Sequence, residues 1–219
     1  MPDNTTDRRK DRVDIVVRRT NYVMTVLLGW ISKHWLLTAN VLIGSLIILP
    51  LLAPVLMHLG FENLGNLIHR LFQAACHQLP QRSFFLFGPQ THYSLEELAG
   101  LLGGEVPSRF VGTSATGYKM AVCERDTAIY ASMFLAGLAF QLVRKLKPLR
   151  LVFFGALALP MVVDGAGQLV GLWSSTWQSR VITGALFGVA CIWLSYPYLE
   201  QGMRDIHVET GNILREMEA

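Results

Sequence analysis

The chain has 219 residues, of which 52% are hydrophobic and only 16% charged, with a formal net charge of +3. Soluble domains carry about 25% charged residues, so this composition excludes an ordinary soluble globular protein. The small net charge gives no basis for nucleic-acid binding, and three cysteines are too few for a disulfide scaffold.

In chain order, residues 1–14 are polar, without apolar periodicity, and are expected to form a mobile tail. They lack the apolar stretch and small-residue cleavage site of a signal peptide. The apolar run from Tyr22 to Ile31 is too short for a bilayer core, which takes about 20 residues. It predicts an amphipathic helix lying in the interface, with Trp30 and Trp35 at headgroup depth. Spans are predicted at about 35–59, 127–143, 151–172 and 181–199. Pro50 and Pro54 interrupt the first of these. Gly167-x-x-x-Gly171 and Gly184-x-x-x-Gly188 place small residues on one face of the last two. The expected fold is therefore all-α: an integral membrane protein of about four transmembrane helices plus the N-terminal interfacial helix. It divides into residues 1–34, a transmembrane domain over 35–199 with a long loop at 60–122, and a tail over 200–219.

Within that loop, Leu64, Leu67, Ile68, Leu71, Phe72 and Ala75 recur at helical spacing. Ser94-x-x-Glu97 has the form of a capping box, with Gly103-Gly104 as its stop. Thr113 to Gly117 reads as loop. Basic residues set the orientation. Arg8, Arg9, Lys10, Arg12, Arg18, Arg19 and Lys33 precede the first span, and Arg144, Lys145, Lys147 and Arg150 join the second to the third. Both groups are expected in the cytoplasm, with both termini, in a cell (inner) membrane. The loop at 60–122 then faces outward.

Three stretches carry the chemistry: Cys76-His77-Gln78-Leu79-Pro80-Gln81-Arg82-Ser83, Cys123-Glu124-Arg125-Asp126, and Asp164-Gly165-x-x-Gln168. Asp164 lies 14 residues past Arg150, about 21 Å along a helix. That depth brings it toward the outer face with the other two. A carboxylate in hydrocarbon costs about 2.5–3.5 kcal/mol, so Asp164 is expected to face protein, water or a partner cation, an ion pair with Arg125 or Arg180 being one reading. Cys76, His77, Cys123 and Asp126 offer two sulfurs, a nitrogen and an oxygen, a donor set suited to zinc. A Cys76–Cys123 disulfide and plain buried thiols are the competing readings. Asp164, Arg125 and Arg82 are the candidate catalytic residues, the arginines for an anionic group. Cys191 reads as core. His34, His58, His69, His92 and His207 read as isolated, and Phe84 to Phe87 as an interfacial run.

These motifs resemble a family of predicted prokaryotic multi-pass membrane proteins of unknown function. Its pattern is Cys-His-Gln-x-Pro-x-Arg-Ser-Phe, then Cys-x-Arg before a transmembrane helix, then Pro-x-x-x-Asp-Gly-x-x-Gln. Cys76 to Phe84, Cys123 to Arg125 and Pro160 to Gln168 match it, so the resemblance covers about residues 68–190. Many members have a second cysteine where Asp126 stands, and the stretch between Gly88 and Val122 is longer here. The resemblance implies a fold and a site but no reaction. Three classes follow: a membrane enzyme with a metal or thiol centre, a non-catalytic subunit or assembly factor with membrane-protein partners, and, behind these, a transporter. The lipid bilayer is the expected surrounding in all three.

Overall fold

The computed structural model describes residues 4–218, with side chains described for 15–217. The chain is all-α in its frame, as expected of an integral membrane protein. The elements are α1 (Asn4–His58), α2 (Glu62–Phe72), a 3-10 turn (Pro80–Arg82), β1 (Phe85–Leu86), α3 (Leu95–Leu102), β2 (Gly112–Thr113), β3 (Gly117–Lys119), α4 (Glu124–Leu142), α5 (Leu151–Leu169) and α6 (Trp177–Glu218). Among the described residues, three stretches are long and apolar enough to cross a membrane: Ile15–His58, Leu151–Leu169 and Trp177–Met217. α4 matches the expected second span in place, but Glu124, Arg125 and Asp126 occupy its first turn. Lipid-facing apolar side chains are exposed along these helices, among them Leu42, Val152 and Ile182.

The helices are longer than the sequence spacing predicts. Polar residues 4–14 and the apolar stretch expected to lie in the interface belong to one continuous helix with the first span. The segment after residue 199 likewise continues α6. Two compact units result, one of Met1–Ala39 with Pro197–Ala219 and one of Asn40–Tyr196.

In the first unit, the N-terminal part of α1 and the C-terminal part of α6 run antiparallel. Trp35 Nε1 donates to Glu200 Oε2 at 3.0 Å, His207 Nδ1 lies 3.3 Å from Gly29 O, and the Arg18 guanidinium reaches Met217 O at 3.4 Å. Polar contacts thus join the C-terminal segment to this chain's own N-terminal helix, while its Ile206 and Ile213 stay exposed.

In the second unit, proline sets where other segments dock. Pro54 lacks the N–H that would bond the Pro50 carbonyl, and Ala121 N–H donates to that oxygen at 3.3 Å. Pro197 frees the Trp193 carbonyl in the same way, and Leu149 N–H donates to it at 3.3 Å. Gly184 and Gly188 let α6 approach α4. A Cβ on Gly184 would lie 2.8 Å from Arg125 O, and one on Gly188 would meet Ser132 and the Ile129 carbonyl. Gly167 instead makes room for the Trp173 ring, and Gly171 lies beyond α5 in a left-handed turn with φ +74°. That pair is not a helix-packing face.

The loop at 60–122 is a small folded layer. β1, β3 and β2 form an antiparallel sheet in that order, pairing Phe85 with Lys119 and Gly112 with Tyr118. Thr113 to Gly117, expected as loop, is its hairpin. Gly117 takes φ +75° within contact of the Leu86 carbonyl and Gly88 backbone, a place no side chain fits. Phe85, Tyr93, Leu98 and Phe110 form its core. The phenylalanine run is therefore not simply interfacial: Phe85 is core, while Phe84 meets Trp177 edge-on and Phe87 stacks on His58. α3 carries both arms of the Ser94–Glu97 capping box and stops at Gly103 in the left-handed region.

Candidate functional site

α2 ends at Phe72, and Cys76 N–H still donates to the Phe72 carbonyl at 3.0 Å. This leaves the Cys76 sulfur beside the start of α4, where Cys123 N–H donates to it at 3.3 Å. Cys123 is the N-cap of α4, its own sulfur accepting from Asp126 N–H at 3.4 Å. A cap needs a side-chain acceptor three residues before a free N–H, so one spacing supplies both the cap and the closeness of Cys123 to Asp126. The donor atoms of Cys76, Cys123 and Asp126 all lie within 4.8 Å of one another. In tetrahedral zinc, bonds of about 2.0–2.3 Å separate the ligand atoms by about 3.3–3.8 Å. A small inward shift of these side chains reaches that geometry.

Both cysteines are free thiols. The bond from Cys123 draws the Cys76 thiol below its ordinary range, while that same bond and burial push Cys123 up. Two thiolates side by side are therefore disfavoured unless a cation sits between them.

His77, adjacent to Cys76, is exposed and stands outside this three-residue group. It does line the same cavity, of about 420 Å³, with Cys76, Cys123, Asp126, Arg82 and Arg125. Burial, with Arg180 and Arg125 close by, holds Arg82 below the usual guanidinium range. Among the described residues no carboxylate forms an ion pair with Arg82. The cavity wall thus joins two sulfurs and one carboxylate to a cationic side.

Asp164 is buried and fully engaged. Arg125 donates to its Oδ2, as do Ser175 Oγ at 2.8 Å and Gln168 Nε2 at 3.2 Å, and Ser179 Oγ donates to Oδ1 at 3.1 Å. These bonds tie α5 to α4, to the α5–α6 connection and to α6. Asp164 itself is not on the cavity wall. Arg180, the other expected partner, belongs elsewhere: it donates to Glu124 Oε2 at 2.8 Å and to Ser175 O at 2.6 Å.

Glu124 was not singled out in the sequence, yet its side chain is wholly buried between Arg180 and His92. The adjacency to Cys123 was visible; the partners, 56 and 32 residues away, were not. Nor are His69 and His92 isolated. His92 pairs with Glu124, and His69 Nδ1 lies 3.1 Å from Gln78 Oε1 while Gln78 Nε2 donates to His69 O at 2.7 Å. Gln78 holds this bridge from a left-handed backbone, φ +52°. Cys191 is half-buried in α6.

The comparisons with known proteins bear on the same region. Residues 112–194 match the family described as Predicted membrane protein (DUF2085). The matched stretch holds Cys123, Arg125, Asp126, Asp164 and Arg180; the Cys76 stretch lies before it. The chain is also 29% identical, over 154 residues, to an uncharacterised protein of Methanocaldococcus jannaschii, covering 67% of this chain and 80% of that protein. No solved structure matches. Similarity and helix composition agree on a predicted membrane protein in contact with lipid.

Proposed function

We propose that this chain is a membrane protein with a zinc-class metal centre at its extracytoplasmic face, ligated by Cys76, Cys123 and Asp126. The carrying observation is the approach of their three donor atoms within 4.8 Å on the wall of an open cavity. Three protein ligands with an open fourth position are the pattern of catalytic rather than structural zinc. His77, exposed on the same cavity wall, could complete the set. A metal of this class would lower the pKa of its bound water and polarise an oxygen of a substrate. Arg82 would hold an anionic group of that substrate, and Arg125, fixed by Asp164, adds positive charge to the same wall. The reaction class that fits is metal-assisted hydrolysis of an anionic substrate.

The orientation follows from charge. Cys76, Cys123 and Arg180 cluster at one end of the α4–α6 bundle, and Arg144, Lys145, Lys147 and Arg150 lie in the connection at the other. Basic short loops stay in the cytoplasm, which puts the centre outside and both termini inside the cell (inner) membrane. α4 then serves as a fourth span, its charged first turn at the outer interface. In this arrangement residues 1–34 and 200–219 are the cytoplasmic parts and 35–199 the transmembrane domain.

Metal analysis of protein purified without chelators, alongside thiol titration before and after reduction, tests the proposal. About one zinc per chain is expected, lost in Cys123→Ser and reduced in Asp126→Asn. Three freely titrating thiols with no metal, or one thiol rising to three only after reduction, would overturn it; the latter marks a Cys76–Cys123 disulfide.

A further inference from the structure

A second cavity, of about 170 Å³, lies between α2 and β3 and shares His77 and Gln78 with the wall of the first. Its wall includes Arg70, Arg109, Lys119, His69, Asn66 and Ser108. No Asp or Glu lines it. Among the described residues no carboxylate pairs with Arg70, Arg109 or Lys119. Lys119 is 1% exposed, and among the described residues its ammonium donates to one acceptor, the Gln78 carbonyl. An ammonium has three protons to give, and a buried cation without a counter-charge is costly.

His69 supplies an independent mark. Gln78 Nε2 donates to the His69 carbonyl, so Gln78 Oε1 is the acceptor left for His69 Nδ1. Nδ1 therefore carries the hydrogen, and Nε2 of the neutral ring presents a lone pair. That Nε2 is buried and makes no hydrogen bond of normal geometry, in a residue only 2% exposed, although the Lys119 backbone is close enough to favour a protonated ring. A wall with three cations and one unmatched buried acceptor suits a ligand that brings negative oxygens and a hydroxyl together.

We propose that this cavity binds a phosphoryl group. Two guanidiniums grip its oxygens in the bidentate manner that suits phosphate, Lys119 supplies the buried counter-charge, and a protonated oxygen donates to His69 Nε2. A planar carboxylate has two oxygens and no hydroxyl once ionised, and leaves part of this donor set unmet. The volume equals that of about five to six waters at about 30 Å³ each, which is ample room for a tetrahedral oxyanion. The group belongs either to free phosphate or to a lipid headgroup, and the cavity chemistry is the same for both. The two cavities share His77 and Gln78 in their walls, but none of the proposed ligands Cys76, Cys123 and Asp126 lines both.

The test uses the full chain in phosphatidylcholine nanodiscs, titrated with inorganic phosphate by calorimetry, and a parallel set of discs doped with phosphatidic acid and assayed for lipid retention. Wild type is expected to bind one of the two probes saturably. Phosphate binding in plain discs identifies the soluble ligand; phosphatidic acid enrichment without phosphate binding identifies the lipid. Lys119→Met is expected to abolish binding. Because a buried substitution can impair folding, the exposed pair Arg70→Ala with Arg109→Ala is measured too, and is expected to weaken binding at least about tenfold. Arg204→Ala, exposed on α6 and on the wall of neither cavity, is expected to leave it within about twofold. Absence of binding by either probe in wild type, wild-type binding in the double arginine variant, or an equal loss in Arg204→Ala would overturn the proposal. Zinc content of the same samples reads the metal centre separately.

Discussion

His69 shows how one side chain links burial to acidity. Desolvation pushes its pKa down from 6.5 to about 4, against the opposing bond to Gln78. The unfolded chain therefore binds a proton between pH 6.5 and 4 that the folded chain refuses. Stability rises with pH wherever the unfolded state holds more protons. The contribution is complete above about pH 6.5 and is lost as pH falls toward 4, amounting to about 3 kcal/mol at most. In phosphate-free buffer, the thermal midpoint of wild type is expected to fall over that window more steeply than that of His69→Gln. Parallel curves for the two proteins would show that His69 does not carry the effect. Lys119, lowered by the same desolvation to about 8, titrates well above this window. Asp164 illustrates the opposite case, a carboxylate given four donors so that its charge can stay below the bilayer surface.

At the scale of elements, the contact between α4 and α6 depends on glycine. Gly184 and Gly188 lie one turn apart on α6 and bring it against the Arg125 and Ile129 carbonyls of α4. Both ends of the candidate site ride on this contact, because Arg180 on α6 must reach Glu124 on α4. Gly188→Leu is expected to push the helices apart and cost about 2–3 kcal/mol, in the range of overpacked cores, with loss of metal as a consequence. Gly202→Leu, where an added Cβ meets nothing, is the matched control. Equal thermal midpoints and equal metal content in the two variants would remove the glycines from the account. Proline acts by a different route. Pro54 and Pro197 each release a carbonyl, and a non-helical segment caps it, so helix breakers become docking points without ending either helix.

For the whole molecule, the proposed orientation makes a direct prediction. In a Cys76→Ser, Cys123→Ser, Cys191→Ser background, Ser174→Cys in the α5–α6 connection is expected to react with a membrane-impermeant maleimide added to intact cells. Leu146→Cys, among the basic residues of the α4–α5 connection, is expected to react only after permeabilisation. The reverse pattern would invert the topology and put the cluster inside. The bilayer decides this asymmetry through the positive residues, which is why four charges in one short loop outweigh the chain's net +3.

The class of this protein and most of its helices were legible in the sequence because a bilayer demands long apolar stretches, and few other environments produce them. Cys76, Cys123, Asp126, Arg82 and Arg125 stood out for a similar reason: such side chains are rare in so apolar a chain. The capping box at Ser94 was also local enough to read. What the tertiary structure decided was partnership. Arg125 rather than Arg180 pairs with Asp164, Arg180 goes to a buried Glu124, and His77 stands apart from the thiols beside it. The two terminal stretches are helical through pairing with each other, a stabilisation that composition does not record. The 60–122 layer was hidden because its strands are two or three residues long and its core is gathered from distant positions. Periodicity reports only neighbours along the chain, and these contacts join residues dozens apart, so only the fold could choose among them.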